Sequence, residues 1–257
     1  MKHVFLIDID GTLVPVCGKR LSDSLLFTIK KLQKMGHVFV VATGRSLNSS
    51  QKVTGLSEFD YFACLMGLVI YDNANKKYIQ KINLLNYDSL KGLINYLIKE
   101  KKLWFYKNFY ADYTINDDKE LISHQNLKKV TIDKVKKDLV EGNIFQIYVD
   151  GEIDEDIKNK YINDFEFIKV PGNNGNTYYD ISAKNVDKSF IVDYFRKKYK
   201  DYKIVAIGDS GNDIGMFKVA DISVAMGNAK DEIKAVCDVV TSSCENNGVE
   251  EFLKQYL

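Results

Sequence analysis

Val4-Phe5-Leu6-Ile7-Asp8-Ile9-Asp10-Gly11-Thr12 is the stretch on which the reading of this chain turns. A short apolar run without polar alternation predicts a strand over Val4–Ile9 that is buried on both faces, as in a parallel sheet. Asp8 interrupts the run and Asp10 follows at period two, so both carboxylates leave the strand end on the same side. Burying two like charges there costs roughly several kcal/mol unless a cation compensates. Hard oxygen donors in a sequence with His 3 suit Mg²⁺. Gly11-Thr12 permits a sharp turn and can aim backbone N–H groups at an anion. A turn or helix-capping pair is the plainer reading of Asp8 and Asp10, and D-x-D alone does not separate the two.

Outward from this strand, Ser22 is a candidate N-cap for a helix with Leu25, Leu26, Ile29 and Leu32 on one face, ended by Gly36. His37–Ala42 then reads as a second buried strand, running into Thr43-Gly44-Arg45. Strand–helix–strand at this spacing predicts a βαβ unit and a parallel sheet. The last segment repeats the pattern. Ser189–Tyr199 is an expected helix with Phe190, Ile191, Tyr194 and Phe195 inward. Strands are expected at Lys203–Ile207, Ile222–Ala225 and Val239–Thr241, with a short helix at Lys230–Val236.

Between these halves the texture changes. Residues 82–181 are richer in Tyr, Asn and Lys, with period-two alternation at Trp104–Tyr110, Asn143–Val149 and Phe165–Val170. Helical patterns at Tyr87–Lys101, Ile132–Glu141 and Glu155–Ile162 separate them. The expected fold class is therefore α/β, a parallel sheet flanked by helices over 1–81 and 182–257, with an inserted α+β module at 82–181.

Three further motifs join the first. Thr43-Gly44-Arg45 sets a hydroxyl and a free N–H at a strand end, which suits a phosphate oxygen, although an ordinary βα turn capped by Thr43 would look the same. Lys188 stands at the N-terminal end of an expected helix, against the macrodipole, with Lys184 as a nearby competitor. Gly208-Asp209-Ser210-Gly211-Asn212-Asp213 follows a buried strand and can add carboxylates to an oxygen shell, an Asx-rich turn being its bland alternative.

In this order, D-x-D-G-T, T-G-R, a late Lys and G-D-x-x-N-D, the sequence resembles the haloacid dehalogenase-like superfamily, and within it the Cof-type phosphatases of subclass IIB. The similarity continues through Val224–Ala229, Cys237–Thr241 and Asn247–Val249, and in 82–181 it is architectural only. One departure is Met66-Gly67, where the family usually shows Asn-Gly. The resemblance implies a Rossmann-like core, a cap over 82–181 that selects the substrate, and a phosphoric monoester hydrolase. It implies Asp8 as nucleophile and Asp10 as acid and base. Mg²⁺ would be held by Asp8 and Asp209 and by the backbone carbonyl of Asp10. Asp213 would support that shell or contact Lys188, and phosphate oxygens would be held by Thr43, Gly44, Lys188 and Asn212. Arg45 has no catalytic role in this reading and contacts the cap or an acidic core residue. Trp104, Tyr106, Tyr110, Tyr113 and Tyr148 are either sheet core or sugar-facing. A sugar phosphomutase, or a sensor that binds phosphate without catalysis, are the alternatives, and Asp10 argues against the second.

Lys+Arg 36 against Asp+Glu 35 gives a net charge of +1, which offers no bulk field for nucleic acid. The Lys-rich stretch Lys128–Lys137 is interleaved with apolar residues and reads as a solvated helix face. No apolar run reaches about 18 residues, so no membrane span is expected, nor a signal peptide in MKHVFLIDID. Cys17, Cys64, Cys237 and Cys244 form no C-x-x-C pair and read as reduced thiols of a cytoplasmic protein. No long exposed apolar stripe is evident, and a monomer acting on a small-molecule phosphate ester is expected.

Overall fold

The computed structural model describes residues 1–15, 21–54, 58–119, 122, 126–171 and 177–257. Cys17 lies outside the described residues. The chain forms two compact units, one of Met1–Lys81 with Asp187–Leu257 and one of Ile82–Val186.

In chain order, the first unit begins with β1 (His3–Ile7), α1 (Asp23–Lys34), β2 (Val38–Ala42), α2 (Leu47–Thr54), β3 (Tyr61–Cys64), β4 (Val69–Asp72) and β5 (Lys77–Lys81). The second unit comprises α3 (Tyr87–Lys99), β6 (Leu103–Lys107), β7 (Asp112–Thr114), β8 (Lys128–Lys129), α4 (Ile132–Val140), β9 (Gln146–Asp150), α5 (Glu155–Tyr161), β10 (Phe165–Pro171) and β11 (Thr177–Ala183). The first unit is then completed by α6 (Ser189–Lys198), β12 (Lys203–Gly208), α7 (Ile214–Val219), β13 (Ile222–Ala225), α8 (Asp231–Lys234), β14 (Val239–Val240) and α9 (Gly248–Leu253).

The first sheet runs β14-β13-β12-β1-β2-β3-β4-β5, parallel except at β4 and β5. Every residue of β1 is buried. Val4 and Leu6 meet Ile191, Val192 and Phe195 of α6 in one core, while Phe5 stacks on Phe39 with centroids 4.9 Å apart. The Ser22 hydroxyl accepts from Leu25 N at 3.1 Å and starts α1, which buries Leu25, Thr28, Ile29 and Leu32 and leaves Leu26 only partly covered. In α6 the buried stripe is Lys188, Ile191, Val192 and Phe195, so Val192 takes the inward place expected of Phe190. A Lys buried at the cap sets the rotation of the helix, because positions 188, 191, 192 and 195 share one face. β1 lies between β12 and β2, where the direction of chain winding reverses, and open α/β sheets bind ligands beyond the strand ends at such a point.

The second sheet runs β10-β11-β9-β6-β7-β8, antiparallel apart from the β7–β8 pair. The expected return to the first unit at 182 falls inside β11, which pairs with β10 and β9 and so belongs to this sheet. One face buries Trp104, Tyr106, Ile147, Val149, Tyr179 and Ile181 against apolar residues of α3, α4 and α5. Trp104 and Tyr106 are thus core, and Tyr113 packs on that core, whereas Tyr110 is 40% exposed and Tyr148 sits on the other face with Phe105. No helix among the described residues is long and apolar enough to cross a membrane.

Candidate active site

Asp8 leaves β1 still tied to its neighbour, its N–H donating to Ile207 O at 3.0 Å. The chain then turns at Gly11, whose φ of +78° and close neighbour both require glycine. A Cβ there would lie 2.3 Å from Asp209 Oδ2. The loop after β1 and the loop after β12 are therefore in contact. Thr12 Oγ1 donates to Asp209 Oδ1 at 3.0 Å, and Asn228 Nδ2, just beyond β13, donates to Gly11 O at 2.9 Å.

Lys188 is fully buried and its Nζ reaches Asp8 Oδ1 and Asp213 Oδ1, each at 2.5 Å. Asp213 Oδ2 accepts from the N–H groups of Asp209 and Ser210, both at 3.0 Å, so both of its oxygens are engaged. Asp10 stands apart from this cluster. Its side chain is 40% exposed and is gripped by Arg45, with Nε to Oδ2 at 2.7 Å and Nη2 to Oδ1 at 2.6 Å. Arg45 thus meets an acidic residue of its own unit, and its Nη1 also donates to Ser49 Oγ at 3.1 Å.

Thr43 is buried after β2, where its hydroxyl accepts from Arg45 N at 3.2 Å and its carbonyl from Met66 N at 3.1 Å. Met66 has a φ of 58° and follows Leu65 at 51°, two consecutive non-glycine residues in the left-handed region. A Cβ on Gly44 would come 2.9 Å from Met66 Cε, so Gly44 gives this side chain its room. Asn212 is exposed and its Oδ1 accepts from Ser210 Oγ at 3.0 Å.

Carboxylate oxygens of Asp8, Asp209 and Asp213 lie within 4.8 Å of one another, the single such group of acidic, His or Cys side chains found among the described residues. Burial pushes Asp8 up to about 7 against the attraction of Lys188, with Asp213 adding to the rise. Burial also pushes Asp209 up to about 6 against its bond from Thr12. Lys188 is held above its ordinary value, because Asp8 and Asp213 together outweigh the opposing effect of burial. Three carboxylates around one ammonium leave the centre short of positive charge, and every candidate ligand is a hard oxygen. That donor set fits a divalent cation such as Mg²⁺. The carboxylate of Asp10 is not part of it, since Arg45 holds both its oxygens.

The sequence motifs therefore meet in space at the ends of β1, β2 and β12 and at the start of α6. Of the two contacts expected for Arg45, the structure shows the one to an acidic core residue, Asp10, whereas sequence reasoning gave Thr12 only a place in the turn and Asn228 no role. Asn228 carried a usable signal, since it lies three residues past the buried strand Ile222–Ala225.

An acidic centre at the switch point of a parallel sheet, with a buried lysine and glycine-bearing turns, marks an α/β enzyme of phosphoryl chemistry. The chain belongs to the haloacid dehalogenase-like hydrolase family, whose profile matches residues 5–253, and within it to the Cof-type hydrolases. A phosphoglycolate phosphatase of Nitrosopumilus maritimus (strain SCM1) is 26% identical over 260 residues, covering 98% of this chain and 95% of that protein. A 5-amino-6-(5-phospho-D-ribitylamino)uracil phosphatase of Bacillus subtilis (strain 168) is 25% identical over 268 residues, covering 99% and 97%. Among solved structures, TM0651 from Thermotoga maritima matches with a TM-score of 0.84 at 25% identity, over 99% of this chain and 97% of that one. The subclass IIB sugar phosphatase BT4131 shares the fold, with a TM-score of 0.74 at 21% identity over 99% and 98%. The chain is a phosphoric monoester hydrolase.

Proposed function

We propose that this phosphatase hydrolyses small-molecule phosphate monoesters through a phosphoryl group carried on Asp8, with Mg²⁺ at the acidic centre. The observation that carries this reading is the buried Lys188 bonded to both Asp8 and Asp213, beside Asp209. It fixes the Asp8 carboxylate at the strand end and brings a positive charge to where phosphoryl oxygens gather.

An Asp8 oxygen attacks phosphorus, the bond from phosphorus to the leaving oxygen breaks, and that oxygen takes a proton from Asp10. In the second half Asp10 takes a proton from water as the water oxygen attacks phosphorus. The bond to Asp8 then breaks and inorganic phosphate leaves. Because both oxygens of Asp10 are held by Arg45, Asp10 must exchange at least one of those bonds to handle either proton. Thr43, the N–H of Gly44, Lys188 and Asn212 hold the equatorial oxygens in this reading. Asp8, Asp209 and the backbone carbonyl of Asp10 would hold Mg²⁺, with Asp213 behind them. When bound, the cation supplies the positive charge that the centre lacks and favours ionised Asp8.

The printed activities of the relatives, on phosphoglycolate and on a phosphoribityl compound, support a small phosphate monoester derived from a sugar or cofactor. The unit Ile82–Val186 would act as the cap that selects among such esters. Cys64, Cys237 and Cys244 form no disulfide with one another, which supports the cytoplasmic enzyme of this reading, and it would act as a monomer.

The test is phosphate release from p-nitrophenyl phosphate and a panel of sugar and cofactor phosphates, with Mg²⁺, with EDTA, and with Asp8→Asn. Release that needs the metal and falls by at least about 10³-fold in Asp8→Asn is the expected result. Turnover that persists in EDTA, or in Asp8→Asn, would remove the proposed mechanism.

A further inference from the structure

β2 and β3 run parallel with Ala42 opposite Ala63, so the turns that leave them emerge side by side. The first turn is Thr43-Gly44-Arg45. The second must reverse the chain at once, because Cys64 of β3 is already paired antiparallel with Val69 of β4. Leu68 N donates to Leu65 O at 3.1 Å and closes that reversal around Met66 and Gly67. Their φ values are 58° and 93°, and two positive values in succession are what a type I′ turn demands. Asn-Gly meets that demand at least cost, since Asn is tolerated in the left-handed region and Gly has no Cβ to clash. Met66 has neither advantage, and Leu65 before it adds a third positive φ, at 51°. The backbone of this turn therefore gives no reason for a methionine.

The side chain gives one. Met66 is half-buried, and a Cβ on Gly44 would lie 2.9 Å from its Cε and 3.7 Å from its Sδ. The thioether thus fills the space beside Gly44 that a side chain of residue 44 would otherwise take. Backbone bonds fasten the two turns together as well. Thr43 N donates to Ala63 O at 2.9 Å, Met66 N to Thr43 O at 3.1 Å and Leu65 N to Arg45 O at 3.1 Å. On its other side the reversal is fixed by Gln80 Nε2, which donates to Gly67 O at 2.7 Å. It also abuts α6, since a Cβ on Gly67 would lie 2.7 Å from Ile191 Cγ1. A strained turn clamped on both sides is held by its surroundings, and residues kept in disfavoured conformations in this way concentrate at functional sites.

We infer that Met66 is a positioning residue for phosphate: its thioether packs on Gly44 and keeps the Thr43-Gly44 turn in the one conformation that receives phosphoryl oxygens. It acts through residues 43–45 and not through the leaving group, so its effect is the same for every monoester. The inference rests on the reading that Thr43 and the N–H of Gly44 hold phosphoryl oxygens.

The test is inhibition by inorganic phosphate, together with kcat/KM for p-nitrophenyl phosphate and a hexose 6-phosphate, in Met66→Ala, Met66→Leu and Thr43→Val. Met66→Ala empties the space beside Gly44. Its inhibition constant for phosphate should rise about 5–10-fold, and kcat/KM should fall by the same factor for both esters. Met66→Leu refills the space with a side chain of similar volume and should stay within about twofold of the parent. An inhibition constant does not depend on how much of the enzyme is folded, so partial misfolding does not mimic the result. Unchanged phosphate inhibition in Met66→Ala, beside a rise in Thr43→Val, overturns the inference and leaves phosphate at Thr43 standing. Unchanged inhibition in both variants removes phosphate from this turn altogether, and the inference with it. A loss in Met66→Ala confined to one ester would make Met66 a contact of the leaving group and also overturns the inference.

Discussion

The two units place their chemistry in opposite ways. In the first, the central strands are covered on both faces, so the groups that can act are confined to loops beyond the strand ends. In the second, an antiparallel sheet buries one face and carries Lys107, Gln146, Tyr148 and Asp180 on the strands themselves. The first arrangement concentrates a few carboxylates around one point. The second spreads many directions of hydrogen bonding over a plane. The acidic centre thus gathers hard oxygens at one point, whereas the second sheet spreads donors and acceptors along its strands.

The sharpest way to break this comparison is Lys188→Met. It leaves Asp8 and Asp213 buried without their shared cation, and breaking a buried pair of this kind costs about 3–5 kcal/mol. Urea unfolding should show that loss in the first unit, with hydrolysis abolished. A protein of unchanged stability would mean that the two carboxylates are not ionised around Lys188.

A smaller effect follows from protonation. Asp8 and Asp209 bind protons more tightly when folded than their ordinary value of 3.8 implies. Between that value and about 6–7 the unfolded chain therefore holds fewer protons than the folded one, and stability falls as pH rises. Metal-free protein should melt lower at about pH 8 than at about pH 5.5 on this account. Millimolar Mg²⁺ should raise the melting temperature by roughly 2–4 °C more at the higher pH. An equal gain at both would separate metal binding from these carboxylates.

The smallest effect belongs to the second unit. Tyr106→Phe removes a buried hydroxyl that donates to Asp138 Oδ2 at 2.8 Å, on the apolar side of the sheet. A loss of about 1 kcal/mol in urea is expected. Turnover of p-nitrophenyl phosphate should stay within about twofold, because this residue lies in the core behind the polar face.

The same contrast governs what could be read from the sequence. Asp8, Thr43, Asp209 and Asp213 were legible because each follows a short apolar strand and lies in a compact motif. The fold class was legible for the same reason. The pairing of Arg45 with Asp10, and of Asn228 with Gly11, depends on loops 35 and 217 residues apart meeting in space. The face of the second sheet was hidden for a different reason. Its members at 107, 112, 146, 148 and 180 are alternate residues of separate strands, and register alone makes them neighbours. β11 itself, Thr-Tyr-Tyr-Asp-Ile-Ser-Ala, has a mixed polarity that concealed both the strand and the end of the module.

The first unit is split in sequence, and that has a bearing on how the enzyme comes into being on the ribosome. β1 is central to its sheet, yet one of its two neighbours is β12, which begins at Lys203. Until that strand emerges, β1 presents an open edge, and neither Asp209 beside Asp8 nor Asp213, the second partner of Lys188, has been made. The unit Ile82–Val186 meets no such delay, since all its strands are made in one stretch. Vectorial synthesis, in which domains fold as units while the chain grows, then makes the inserted unit the first to close and the catalytic centre the last. A nascent chain stalled before residue 203 would hold a finished inserted unit and an incomplete acidic centre.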